Sequence, residues 1–112
     1  MTVAVKSSGS QAATISTEHV LATVTDAGVY LLSIDVNAMT GGATPDILQV
    51  KVYGKARSSD TERLIETYTL VGIQTTARLF QTFARISPHH YKVTITQTQG
   101  TGRSFPWAIY NA

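Results

Sequence analysis

Residues 97–112, Gln97-Thr-Gln-Gly-Thr-Gly-Arg-Ser-Phe-Pro-Trp-Ala-Ile-Tyr-Asn-Ala112, decide the fold. They read as the end of one strand, a tight turn at Gly100-Thr-Gly102, and a closing aromatic strand that holds the only tryptophan of the sequence. Phe105, Trp107 and Ile109 point the same way, because side chains two apart share a strand face. Pro106 has no N–H to give a ladder, so the spacing predicts an edge strand or a bulge at that point. Trp107 is expected either in the core or at a subunit interface.

Working back from this strand, the period is almost uniformly two. Residues 90–99 place Tyr91, Val93, Ile95 and Gln97 on one face and Lys92, Thr94, Thr96 and Thr98 on the other. Residues 47–56 put Leu48, Val50, Val52 and Gly54 inside, with Gln49, Lys51, Tyr53 and Lys55 outside. Residues 29–36 line a core face with Tyr30, Leu32, Ile34 and Val36, since the alternate set ends in Ser33 and Asp35. Short strands are predicted over 12–16 and 19–24, and a Thr-rich, aromatic one over 62–71.

Turn chemistry separates these runs: Thr25–Gly28, the Gly41-Gly42 and Pro45 loop over 37–45, the tip Arg57-Ser-Ser-Asp-Thr61, and a connection over 72–77. Residues 78–86 fit helical spacing through Leu79, Phe80, Phe83 and Ile86, and strand spacing through Phe80, Thr82, Ala84 and Ile86. The segment before Ser87-Pro88 is short for a helix, so a strand is expected. Residues 1–11 are small, polar and without period, the pattern of a flexible or partner-ordered N-terminal arm. Residues 12–112 then form a single β-sandwich domain.

About eight antiparallel strands with no helix predict an all-β sandwich. A jelly roll fits best, with an immunoglobulin-like sandwich as the alternative despite the missing Cys-Trp-Cys landmark. A chain of 112 residues buries roughly 65% of its unfolded surface. Cysteine is absent, so packing or oligomerisation must stabilise the fold without disulfides. No secretory apolar core opens the sequence and no run reaches a membrane span, so synthesis and residence on the cytosolic side of the producing cell are expected, with no membrane partner.

Only 14% of residues are charged, against about 25% in ordinary soluble proteins. Residues 1–50 hold Lys6 against Glu18, Asp26, Asp35 and Asp46, whereas residues 51–112 hold eight basic side chains against Asp60, Glu62 and Glu66. Either strands distant in sequence neighbour each other in space, or a polar protomer docks through complementary faces.

The chemical motifs are weak. His89 and His90 are adjacent, so on a strand their imidazoles face opposite ways, and only His19 remains to complete a metal site. Glu62 and Glu66 would stand about 13 Å apart on a strand, beyond the reach of a glycosidase pair. Asp60 and Glu62 lie among Arg57 and Arg63, which suits ion pairing. There is no G-x-S-x-G elbow, a thiol mechanism is excluded, and no helix follows Gly100-Thr-Gly102 to bind phosphate. Catalytic, cofactor-binding and metal-ligating residues are therefore all expected to be none. Lys51, Tyr53 and Lys55 share a basic face flanked by Arg57 and Arg63, but one aromatic is a poor stacking platform, so nucleic acid is an unlikely partner.

The run Thr94-Ile-Thr-Gln-Thr-Gln-Gly-Thr-Gly-Arg-Ser-Phe-Pro-Trp107 resembles the ending of small capsid cement or decoration proteins of tailed bacteriophages. Gly28–Val36, followed by a loop and Asp46–Tyr53, is similar to the early strands of the same group. The resemblance implies a jelly-roll virion protein, made in the bacterial cytoplasm, that binds the major capsid protein as a homo-oligomer and clamps neighbouring subunits. A tail-associated or receptor-binding β-module of the virion is the alternative it leaves open.

Overall fold

In the computed structural model, which describes residues 3–73 and 79–112, the chain is all-β and forms two antiparallel sheets packed as a sandwich. Nine strands lie among these residues: β1 (Ala4–Ala12), β2 (Glu18–Val24), β3 (Gly28–Asp35), β4 (Ile47–Gly54), β5 (Arg63–Val71), β6 (Leu79–Gln81), β7 (Arg85–Ser87), β8 (Tyr91–Gln99) and β9 (Ser104–Asn111). One sheet runs β1-β9-β3-β6, with β7 also on β3; the other runs β2-β8-β4-β5. Apart from the β4–β5 hairpin and the β6–β7 step, each connection passes from one sheet to the other.

The core follows the alternations. Tyr30, Leu32, Ile34 and Val36 from the β3 run meet Leu48, Val50 and Val52 of β4 and Tyr91, Val93 and Ile95 of β8, all buried. Phe105 and Ile109 of β9 complete the layer, and the Tyr30 and Tyr91 rings pack 5.4 Å apart. Burial of this set supplies the main stabilisation, at about 25 cal/mol for each Å² of apolar surface removed from water.

Four expectations change. Residues 4–11, read as part of an arm, belong to β1, which pairs with β9 from Ala4↔Asn111 to Ala12↔Ser104. An edge strand held by main-chain bonds, with no side chain fully buried, needs no hydrophobic period, so composition hides it. Of the strand expected over 12–16, Ala12 ends β1 and the rest leads into a turn in which Ser16 adopts φ 64°. The segment expected as one strand over 78–86 is interrupted: Thr82 donates its N–H to Leu32 O and accepts the Leu32 N–H on Oγ1, so its side chain replaces a rung between β6 and β7. Arg78 and most of the connection over 72–77 lie outside the described residues. Finally, β9 is interior, between β1 and β3, and Pro106 shows no bulge in register with β1. Pro106 nonetheless lies one residue beyond the last β3–β9 pair, Ile34↔Trp107, so the missing N–H falls where β9 has a registered neighbour on one side alone.

Candidate interaction surface

The sequence motif of the β8–β9 turn is organised around one buried carboxylate. Asp46 Oδ2 accepts hydrogen bonds from Thr40 N (2.8 Å), Thr40 Oγ1 (3.2 Å) and Arg103 Nε (3.0 Å), and Oδ1 accepts from Thr101 N (3.0 Å). Gln97, fully buried, donates to Thr101 O (2.6 Å) and accepts from Arg103 N (3.1 Å). Arg103 Nη2 also donates to Thr40 Oγ1 (3.0 Å). Burial opposes ionisation of Asp46, but the Thr40, Arg103 and Thr101 donors outweigh it and hold the carboxyl below its usual value. Gly100, at φ 95°, packs directly on Asp46, and a β-carbon on Gly102 would lie 2.5 Å from Ala13 O. Gln97, Gly100, Thr101, Gly102 and Arg103 thus form a clasp between the turn and the β3–β4 loop. The residues that carry the family resemblance are accounted for by folding.

The same pairing resolves much of the charge asymmetry. Asp46 meets Arg103, and Glu18 stands beside Lys51 and Lys92. Acidic and basic halves are therefore interleaved in space.

The outer face of the β2-β8-β4-β5 sheet carries internally paired charges alongside the exposed side chains of Val20, Leu64 and Val71. Glu18 accepts from Thr94 Oγ1 and Tyr53 OH, each at 2.6 Å, and these bonds hold its carboxyl below the usual value. The Glu18 bond, with burial, pushes the Tyr53 phenol up to about 12. Lys92 Nζ lies 4.7 Å over the Tyr53 ring and bonds Glu62 (2.7 Å), which also meets His90 (2.5 Å). Arg57 pairs in two bonds with Asp60, both 2.9 Å. The basic face read from Lys51, Tyr53 and Lys55 is thus partly neutralised, and one side of its aromatic ring is covered. His19 is separate, with Nε2 accepting from Thr14 N at 3.0 Å, so the structure does not gather the three histidines.

The outer face of the other sheet lacks such charges in its central rows. Directly paired residues of neighbouring antiparallel strands share a face. Val5, Tyr110 and Leu31 form one row across β1, β9 and β3, and Val29 and Ile86 continue it onto β7. The next row is Ser8, Ala108, Ser33 and Gln81. These rows carry no charge; Asp35, paired with Leu79, comes only at the far end. Val3, Val5 and Ile86 are 62%, 58% and 85% exposed. Contiguous neutral surface of this kind marks interaction sites. Sequence reasoning placed Val29 and Leu31 outside but assigned Val5 to an arm, and so missed the row. The alternation Val3-Ala-Val5 is its one local signal.

No family model matches the sequence, and neither a curated protein nor a solved structure matches it.

Proposed function

We propose that this chain is a non-enzymatic virion structural protein that binds the outside of a phage capsid as a homo-oligomer and stabilises the shell by clamping neighbouring capsid subunits. The observation that carries the reading is the pair of uncharged central rows on the outer face of β1, β9, β3 and β7, which can bury against protein without desolvating a charge. The strand order supports the jelly-roll form of the sandwich. With β6 and β7 taken as one interrupted strand on β3, two four-stranded sheets remain, whose connections cross between sheets except at β4–β5. An immunoglobulin-like sandwich instead keeps its first two strands in one sheet.

Clamping is linkage: a module that binds the mature shell and not its precursor stabilises the former by mass action. Repetition over a shell multiplies modest single-site affinity into avidity. Electron microscopy of the parent particle tests the assignment, with regular density on the shell expected. Density at the tail alone would move the protein to the tail-associated alternative. Val5→Glu and Ile86→Lys place charges on the neutral face at exposed positions. Each is expected to leave the melting temperature within a few degrees and to abolish self-association and particle binding in sedimentation. A wild-type chain that sediments as a monomer throughout the micromolar range excludes the homo-oligomer.

A further inference from the structure

Three buried side-chain polar atoms have no hydrogen-bond partner among the described residues: Arg85 Nε, Ser87 Oγ and Tyr91 OH. All three belong to residues lining one cleft of about 310 Å³ at the end of the sandwich, between β7 and the β4–β5 hairpin. The register explains their convergence. Arg85 and Ser87 pair with Tyr30 and Gly28, so both turn toward the interior, where Tyr91 of β8 also points. An inward charge on an edge strand is a recognised guard against edge-to-edge pairing. That role, fulfilled by the Arg85–Glu66 ion pair, does not explain two buried hydroxyls without partners. A buried polar group left unpaired is destabilising, and native proteins rarely leave several without partners.

We propose that this cleft binds a small carboxylate bearing an apolar body. Arg85 is already paired with Glu66, so Lys55 and Arg63, which have no ion-pair partner among the described residues, set the sign of the ligand. Arg85 Nε is a donor only, and both hydroxyls can donate, so the group they lack is an acceptor with several lone pairs. A carboxylate has that capacity and takes charge-assisted bonds from a guanidinium. Burial pushes the Tyr91 phenol up, while a hydrogen-bond contact from Thr82 and the Arg85 charge pull the other way; like any tyrosine it keeps its O–H at neutral pH. Ala56, Ile65 and Pro88 supply the apolar wall, and the volume lies at the small end of ligand sites. The three atoms are sealed from solvent, so binding includes a side-chain movement in the wall.

The test is a titration of the isotope-labelled full chain with hydrocinnamate, followed by amide NMR shifts. Saturable shifts confined to residues 54–56, 63–65 and 85–91 are expected, with the neutral hydrocinnamyl alcohol weaker by about tenfold or more. Ser87→Ala and Tyr91→Phe remove unpartnered hydroxyls. Both should retain or raise the melting temperature while weakening hydrocinnamate several-fold. N-acetylphenylalanine stands for a polypeptide C-terminus: tighter binding than hydrocinnamate supports the site with a peptide as source, and weaker binding supports it with a free acid. The proposal is overturned by the absence of saturable shifts, by equal binding of the alcohol, or by inorganic phosphate binding as tightly as hydrocinnamate. It is also overturned if both substitutions lower the melting temperature by several degrees, because fixed water would then be satisfying the hydroxyls.

Discussion

Gly100 and Asp46 occupy space that only glycine leaves free: a β-carbon on Gly100 would fall within the Asp46 carboxylate. The contact joins the β8–β9 turn to the β3–β4 loop, across more than fifty residues of sequence.

Gly100→Ala is therefore expected to destabilise the fold by at least about 2 kcal/mol, combining the positive φ with displacement of a buried carboxylate. Denaturant unfolding checks this, and an unchanged midpoint would show that the turn relaxes without strain.

Acid should weaken the same clasp. A carboxyl held below its unfolded value stabilises the fold above about pH 4, where the unfolded group is ionised. That contribution is lost as pH falls through the folded value, and Asp46, Glu18 and Glu62 all lie on this side. Asp46→Asn should lower stability at neutral pH by about 2–3 kcal/mol, through lost hydrogen bonds to a charged acceptor, and flatten the decline below pH 4. Denaturation midpoints measured between neutral pH and pH 3 give both quantities.

Trp107 packs against the core from the β1 side and is only partly buried, with its ring 3.3 Å from where a Gly9 β-carbon would stand. Trp107→Ala should cost about 2–4 kcal/mol, below the full value for a wholly buried aromatic. Because the indole spans β9 and β1, amide exchange along Ala4–Ala12 should accelerate more than along β4 or β8. Uniform acceleration would show that β1 does not open separately.

Tyr53 gives a spectroscopic handle. Its phenol, raised to about 12, should ionise in ultraviolet absorbance well above the ordinary tyrosine value. A phenol raised in the folded state stabilises it below about pH 10, the unfolded value, and that contribution is lost as pH rises through about 12. Glu18→Gln should move the titration downward, since the Glu18 bond is its main cause.

The alternations of β3, β4 and β8 were legible because each strand buries one face against the opposite sheet, and burial writes a period into sequence. β1 was not, because its attachment is main-chain pairing on β9, which leaves side chains unconstrained. The break at Thr82 depends on a hydroxyl replacing a backbone rung, and no propensity encodes that. The turn at Gly100-Thr-Gly102 was legible as a turn, but its partner Asp46 was not. The cleft was invisible for a similar reason, since Arg85, Ser87 and Tyr91 meet the β4–β5 hairpin only after both sheets have formed.

The pairing of β1 with β9 has a consequence for the timing of folding. Nearly the whole described chain lies between the partners, so the loop-closure entropy of that pairing is among the largest in the molecule. Until β9 leaves the ribosome, the main-chain groups of β1 have no sheet to join, and the neutral row through Val5, Tyr110 and Leu31 is incomplete. If the chain assembles through that row as proposed, only finished molecules present the complete surface.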